Sequence, residues 1–431
     1  MEPLISEFHT LGCKLNQAET GRIAKLLGDA GISREPLTLE TRPYLIYVNS
    51  CAVTEKAATK SRHLISKLAR DNRQAMIIVG GCLSQLDPLA LARIPGVGYV
   101  LGTEERFTTD WWRGIPEQPI VAAGGIRDQN HPIQTAVDCR RARPFLKIQD
   151  GCDQGCSYCI IPQLRGKPRS VPLNEVLNAA RSLIDSGVYE IVLTGVRIGS
   201  WGRDLPEHHN LAFLLWKLLE IPGEYRIRLG SLEPWELDEE LITLITTNDA
   251  VCPHLHIPIQ HTSPAILELM GRPQIQGTIE RLRQIGNDYP HLAIGADLIA
   301  GFPGETESDF NRLRSDLMRI PLAYSHIFGY SSRPGTRAPQ LPNPVPHAEK
   351  KRRREILLEA GRRKRADFVR RQNGVILQAI PDADRKSKPW TPAVTENYLH
   401  LPIPSTLARP GKPTRIRLES SDSGKVVGVM A

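Results

Sequence analysis

At 431 residues, with 41% apolar and 24% charged positions, the chain is too long for one ordinary domain and too balanced to be disordered or fibrous. No apolar run is long enough to span a bilayer, and the opening MEPLISEFHT is not a secretory leader. The expectation is a cytoplasmic protein with no membrane partner, whose eight cysteines are ligands or core residues rather than disulfides.

Residues 1–125 alternate candidate strands (ISEFHTL, YLIYVNS, AMIIVGG) with helical patterns (NQAETGRIAKLLGDAG, EKAATKSRHLISKLARD), which predicts an N-terminal parallel α/β sheet domain. Residues 125–140 read as a linker. Residues 140–371 carry six further strand patterns: FLKIQ, EIVLTG, RIRLG, HLHIPI, AIGADLIAG and AYSHIFGY. A closed parallel barrel has eight strands, so six predict an open, partial (βα)6 TIM-like barrel. It ends in residues 350–371, which hold eleven Lys/Arg and three acids, a net +8 equal to that of the whole chain. That run fits a polyanionic partner or a solvated helix face, with Ile356, Leu357, Leu358 and Ala360 turned inward. Residues 372–431 hold GVILQAI, NYLHLPI, TRIRLES and KVVGVM, separated by Pro, Gly and Asp, and predict a small antiparallel β-barrel.

The chemistry lies in two cysteine triplets. Cys152, Cys156 and Cys159, in DGCDQGCSYCIIP, follow the first barrel strand, at the edge where such barrels place their sites. Three closely spaced thiolates hold three corners of a [4Fe-4S] cluster and leave one iron open. Zinc is the alternative, but it needs a second ligand pair, and no other CxxC or HxxxH occurs. Cys13, Cys51 and Cys82, in TLGC, VNSC and VGGC, each close a strand. Their spacings of 38 and 31 residues each match one strand–helix–strand unit, so the topology brings them to one rim. They read as ligands of a second cluster or, alternatively, as three buried structural thiols. Gly12, Gly80 and Gly81 would let backbone approach a bulky group. Cys139 and Cys252 stand in no repeated context and read as structural or free thiols.

With both triplets, the chain resembles the radical S-adenosylmethionine (SAM) methylthiotransferases over essentially its whole length. The carriers are GCKLN, VNSCAVT and GGC; then KIQDGCDQGCSYCIIP, IVLTGVRIGSWG, RLGSLEP, LHIPIQHTSPAILELMGR, DLIAGFPGETESDF and YSSRPGT. The C-terminal barrel stands where that family carries its RNA-binding TRAM domain. The resemblance implies two [4Fe-4S] clusters and SAM as cofactors. Cys152, Cys156 and Cys159 would hold the cluster that cleaves SAM, and Cys13, Cys51 and Cys82 the auxiliary one. Tyr158 would lie near the adenine of SAM, and Thr194 and Gly195 by its amino group. Ser231, Glu233 and Gln260 become candidates for SAM or substrate contacts. Gly301–Glu305 either lines the SAM pocket or is a plain strand–helix turn.

The implied reaction places a methylthio group on carbon 2 of the modified adenosine 3′ of the tRNA anticodon. TLGCKLNQAE and LTGVRIGSWG are most similar to the branch acting on threonylcarbamoyladenosine. Alternatives are the isopentenyladenosine branch, the branch that modifies an aspartate of a ribosomal protein, and a non-enzymatic iron–sulfur RNA-binding protein. Implied partners are a tRNA anticodon stem-loop, a reducing electron donor and a sulfur donor.

Overall fold

The structure is a computed structural model that describes residues 5–32, 44–107, 118–124, 133, 135, 137, 141–382, 388–420 and 426–430. Most of the linker at 125–140 lies outside the described residues.

The first sheet contains β1 (Ser6–Thr10), β2 (Leu45–Ser50), β3 (Met76–Gly81), β4 (Val97–Leu101) and β5 (Ile120–Ala122), in that spatial order. Every pairing is parallel. β2 and β3 are buried along their full length because helices cover both faces. Ile23 and Leu27 of α1 (Lys14–Asp29) cluster with Tyr47, Met76 and Ile78. Ala58, Ile65 and Leu68 of α2 (Glu55–Asp71) cluster with Ile46, Val48, Ile77 and Val79. The strand period of two sends neighbouring side chains to opposite helices. The Thr54 hydroxyl starts α2 by accepting from the Ala57 N–H at 3.2 Å. Two short helices, α3 (Cys82–Leu86) and α4 (Pro88–Ala92), follow β3.

The second unit begins with β6 (Phe145–Lys147), β7 (Gln149–Asp150), α5 (Ile161–Arg165) and β8 (Arg169–Ser170), where β7 and β8 form a short antiparallel pair. Then follow α6 (Leu173–Asp185), β9 (Glu190–Thr194), α7 (Leu211–Leu219), β10 (Arg226–Arg228), α8 (Glu239–Thr247) and β11 (His254–Gln260). Next come α9 (Pro264–Leu269), α10 (Gln276–Asp288), β12 (Ala293–Ala300), α11 (Glu307–Arg319) and β13 (Leu322–Gly329). β6, β9 and β10 pair in parallel, as do β11, β12 and β13. Parallel bridges Ile227–Val251 and Ser231–His256 join the two halves. The six strands therefore run β6-β9-β10-β11-β12-β13 and do not close on themselves among the described residues. Outward residues such as Leu146, Ile191, Ile227, Leu255 and Ile294 pack against the helices. Alternate residues turn inward and are polar: Lys147, Glu190, Arg228, His256 and Asp297.

α12 (His347–Arg371) lies along β13. Gly361 permits the approach, since a Cβ there would stand 2.4 Å from Ser325 Oγ. Leu357 and Ala360 face inward as expected, and Ile356 and Leu358 are partly buried. Arg353 departs from the expected outward basic face: it is buried and bonds Glu305 at 2.8 Å and Glu349 at 2.7 Å. A buried guanidinium is stable only when paired in this way.

The chain ends in β14 (Ile376–Pro381), β15 (Trp390–Thr395), β16 (His400–Pro404), β17 (Thr414–Ser420) and β18 (Val426–Met430), antiparallel in the order β16-β15-β14-β17-β18. The two edge strands lie against each other, so the barrel is nearly closed. It caps one end of the open barrel, where Arg228 donates to the Thr395 and Glu396 carbonyls at 2.9 and 3.0 Å. Among the described residues no helix is long and apolar enough to cross a membrane.

Two cysteine triplets as the candidate functional site

The loop carrying Cys152, Cys156 and Cys159 is fixed by its backbone. Gly151 has φ +74°, and a Cβ there would lie 2.0 Å from the Lys167 carbonyl oxygen, so only glycine fits. Cys152 N–H donates to Gly166 O at 2.9 Å, and Cys159 N–H to Cys156 O at 3.1 Å. Ser157 ties the loop to the end of α9 through Met270 O (2.9 Å) and Leu269 O (2.7 Å). The three thiols are half-buried. Burial, reinforced by Cys156 and Cys152, pushes the Cys159 thiol up to about 12. Burial also raises Cys152. A metal that binds here must displace those protons.

Tyr158 packs edge-on against Phe302, with centroids 6.1 Å apart, in an apolar cluster with Ile266 and Met270. Thr194 is buried at the end of β9, and its carbonyl accepts from Ile148 N–H at 2.9 Å. Gly195 presses on Gln149: a Cβ there would lie 2.8 Å from the Gln149 carbonyl oxygen. Ser231 is exposed at the end of β10. Glu233 is raised by burial, against the pull of Arg272. Gln260 sits at a register shift in β11 with φ +62°, a left-handed conformation rare for non-glycine residues. The turn at Gly301–Glu305 closes on itself, with Glu305 accepting from the Gly301 N–H at 2.7 Å and the Phe302 N–H at 3.1 Å.

Sequence reasoning assigned no role to Arg272 or Arg197. Arg272 donates to Cys156 Sγ at 3.7 Å, to Glu233 at 2.6 Å and to Pro258 O at 2.7 Å. It thereby links the cysteine loop to the ends of β10 and β11. Arg197 bonds Glu236 at 2.6 Å and Asp153 at 3.1 Å, which links that loop to β9 and β10. The only sequence signal for either was its place within a longer motif.

The second triplet converges at the same edge of the N-terminal sheet. Cys13 precedes α1, Cys51 follows β2 directly, and Cys82 opens α3. Gly12 has φ +108°, and a Cβ there would lie 3.2 Å from Cys51 Sγ. The Cys13 thiol donates to Asn16 Oδ1 at 3.6 Å. Arg165 donates to that same oxygen at 3.2 Å and to Cys82 Sγ at 3.6 Å. Burial, with Cys82 and Cys13 adding to it, pushes Cys51 up to about 11. Beneath the triplet lies a buried charge network. Glu19 meets Arg106 (2.7 Å), Arg165 (2.9 Å) and Lys147 (3.2 Å), and Asp150 meets Lys147 (2.6 Å) and Arg165 (3.0 Å). Burial would raise Glu19, but Arg106, Arg165 and Lys147 overcome it and hold the carboxyl at about 2. Cys252 is buried beside Glu190, 3.7 Å away, and burial pushes its thiol up to about 12, as suits a structural residue. Cys139 lies outside the described residues.

The donor sets discriminate between metals. Among the described residues, His256, Asp297 and His326 are the group whose ligand atoms all lie within 4.8 Å of one another; neither cysteine triplet is that tight. Three sulfurs around a single zinc sit about 3.8 Å apart, given Zn–S near 2.3 Å and tetrahedral angles. Neither triplet is gathered at that spacing, and three thiols at each site are the donor set of a cluster with one open iron.

Two family models match stretches of the chain. The model described as Uncharacterized protein family UPF0004 matches residues 6–102, and the Radical SAM superfamily model matches residues 146–317. The threonylcarbamoyladenosine tRNA methylthiotransferase MtaB of Aquifex aeolicus is 34% identical over 91% of this chain and 95% of its own length. This chain belongs to the radical SAM tRNA methylthiotransferases. The Bacillus subtilis protein of the same name is 33% identical over 95% of this chain and 93% of its own. The tRNA-2-methylthio-N(6)-dimethylallyladenosine synthase of Moorella thermoacetica is 35% identical over 81% of each. In fold, the methylthiotransferase is similar to the radical SAM methyltransferase TsrM of Kitasatospora setae, solved with cobalamin and a [4Fe-4S] cluster bound. The TM-score is 0.54 at 19% identity, covering 76% of this chain and 75% of that one. The methylthiotransferase is thus an enzyme whose cofactors are SAM and two [4Fe-4S] clusters, and its six clustered thiols fit them.

Proposed function

We propose that this methylthiotransferase acts on N6-threonylcarbamoyladenosine next to the tRNA anticodon, adding a methylthio group to carbon 2. The observation that carries this reading is the polar lining of the open barrel side. His256, Asp297, Tyr324 and His326 form a hydrogen-bonded surface there. Such a surface complements the carbamoyl, hydroxyl and carboxylate groups of the threonyl substituent.

The division of labour follows the chain. Residues 1–125 hold one cluster through Cys13, Cys51 and Cys82, and residues 140–371 hold the other through Cys152, Cys156 and Cys159. Residues 372–431, with the basic helix, hold the RNA. When bound, the clusters and SAM supply the one-electron chemistry that an unreactive aromatic C–H bond requires, and the sulfur to be transferred. The residues of the chain position and shield. Arg272 fixes Glu233 beside the cysteine loop. Tyr158, backed by Phe302 and Met270, excludes water from it. Thr194, Gly195, Ser231 and Gln260 supply backbone and polar contacts at the rim for SAM or substrate. The enzyme works in the cytoplasm with a reducing electron donor and a sulfur donor.

The test is mass spectrometry of tRNA nucleosides from cells with and without the gene. Loss of methylthio-threonylcarbamoyladenosine, restored by complementation, is the expected result. Loss of methylthio-isopentenyladenosine instead would overturn the substrate while keeping the chemistry.

A further inference from the structure

The last strand of the open barrel carries rings on one face that the cofactor site does not use. Tyr324, His326 and Phe328 are alternate residues of β13 and so point the same way. β13 has no partner strand on its outer side among the described residues. The His326 side chain is 56% exposed and Phe328 45%. The rings form a continuous series. Tyr398, which precedes β16 of the C-terminal barrel, lies 5.3 Å from Tyr324 between centroids, Tyr324 lies 5.4 Å from His326, and His326 lies 6.4 Å from Phe328. The next alternate residue, Tyr330, meets Phe302 edge-on at 5.2 Å, and Phe302 meets Tyr158 at 6.1 Å, one residue from Cys159. Tyr330 and the buried Phe302 thus brace the end of β13 against the first cysteine loop.

Hydrogen bonds at their edges hold two of these rings. The Tyr324 hydroxyl lies 2.9 Å from nitrogens of both His254 and His256. His326 Nδ1 meets Asp297 at 3.0 Å. The Tyr324 ring is covered, packed over Gly295 and stacked beside His256 with centroids 5.6 Å apart, so the exposed rings of the series are His326 and Phe328. Beside them, a groove of about 330 Å³ is lined by Tyr324, His326, Arg362, Arg365, Tyr398 and His400. Arg362 is engaged by Glu359 at 2.7 Å, whereas Arg365 has no acidic partner among the described residues. Exposed rings on a strand beside an unengaged arginine are the means by which proteins hold single-stranded nucleic acid: the rings stack on bases and the cation takes phosphate.

We infer that His326 and Phe328 form a stacking track for the unpaired nucleotides of the RNA loop, with Tyr324 bracing it from behind and Arg365 holding the RNA backbone. The track lies between the C-terminal barrel and the end of β13. It rests on tRNA being the substrate.

The test uses the full-length protein with a synthetic unmodified anticodon stem-loop and, for comparison, a blunt RNA duplex of equal charge. Binding is followed by fluorescence anisotropy, and stacking by the quenching of 2-aminopurine placed in the loop. Phe328→Ala and His326→Ala should each weaken loop binding about tenfold and lose the quenching, with duplex binding unchanged. Phe328→Trp should restore both. Arg365→Gln should lower the salt slope of loop binding by about one. Loop binding and quenching that persist in both ring-to-alanine variants, with their melting temperatures intact, overturn the track alone. Wild-type protein that binds neither RNA overturns the tRNA reading together with it.

Discussion

One buried guanidinium joins the two cysteine sites: Arg165 Nη2 lies 3.6 Å from Cys82 Sγ, while Nη1 bonds Asp150 Oδ1 at 3.0 Å, two residues before Cys152. Arg165 itself follows Cys159 by six residues, on α5. Arg165 therefore bridges the loop of the first triplet to Cys82 of the second.

Removing that link should be costly. Arg165→Gln leaves Glu19 and Asp150 buried with fewer partners, which costs about 3–5 kcal/mol by analogy with broken buried pairs. Thermal unfolding should show the loss, and iron content after anaerobic reconstitution should fall toward the loading of one triplet. Arg165→Lys keeps the charge but not the planar fork and should recover only part of both. Full iron loading in Arg165→Gln would mean that the arginine supports the fold without positioning Cys82.

The two triplets should fail differently. Cys13→Ala should abolish methylthio transfer to tRNA while 5′-deoxyadenosine still forms from SAM under strong reductant. Cys156→Ala should abolish both products. Liquid chromatography with mass detection reads both compounds from one incubation. Methylthio product from Cys13→Ala would contradict the auxiliary role.

Acid should loosen the contact between the first sheet and the barrel. Glu19 sits at about 2 against an ordinary 4.5, so the unfolded chain binds its proton first as the pH falls. Its ion pairs stabilise fully above about pH 5, and that contribution drains away as the pH drops toward 2. Asp150 is also held low: burial opposes this, but Arg165 and Lys147 prevail, so the sign is the same. The melting temperature should be flat from pH 7 to 5 and then fall more steeply than in Glu19→Gln. Parallel curves for the two proteins would remove Glu19 from the linkage.

What the sequence revealed depended on the range of each interaction. β2, β3 and the barrel strands were legible because a strand buried on both faces, or packed on helices, must be apolar at successive or alternate positions. β4 was missed because Gly98 interrupts VGYVL, β5 because it is three residues long, and β15 because Pro392 argues against a strand. The cysteines were legible from local spacing and from the strand-end repeat. Arg272 and Arg165 were not, because their sulfur partners lie 116 and 83 residues away in the chain. The basic helix was counted as charge without its partners: Arg352, Arg362 and Arg370 are engaged by acids on the same helix.

A single methyl group at the end of β3 offers a sharp test of how backbone places the second triplet. Gly81 has φ +102°, and a Cβ there would stand 2.3 Å from Ser50 O and 2.5 Å from Asn49 Oδ1. Ser50 is backbone of the paired strand, so it cannot rotate away, and β2 and β3 must part just where Cys51 and Cys82 emerge. Gly81→Ala should cost about 1–3 kcal/mol from backbone strain alone, with the clash adding to it. It should also lower iron loading at the second triplet more than at the first. Gly28→Ala is the control: it lies in α1 with nothing within 4 Å of the added methyl, and should stabilise by about 0.5–1 kcal/mol. Denaturant unfolding of the two variants, read beside iron content, separates general destabilisation from misplacement of Cys82. Equal stability in both would show that β3 shifts freely and that the rim is not set by this strand pair.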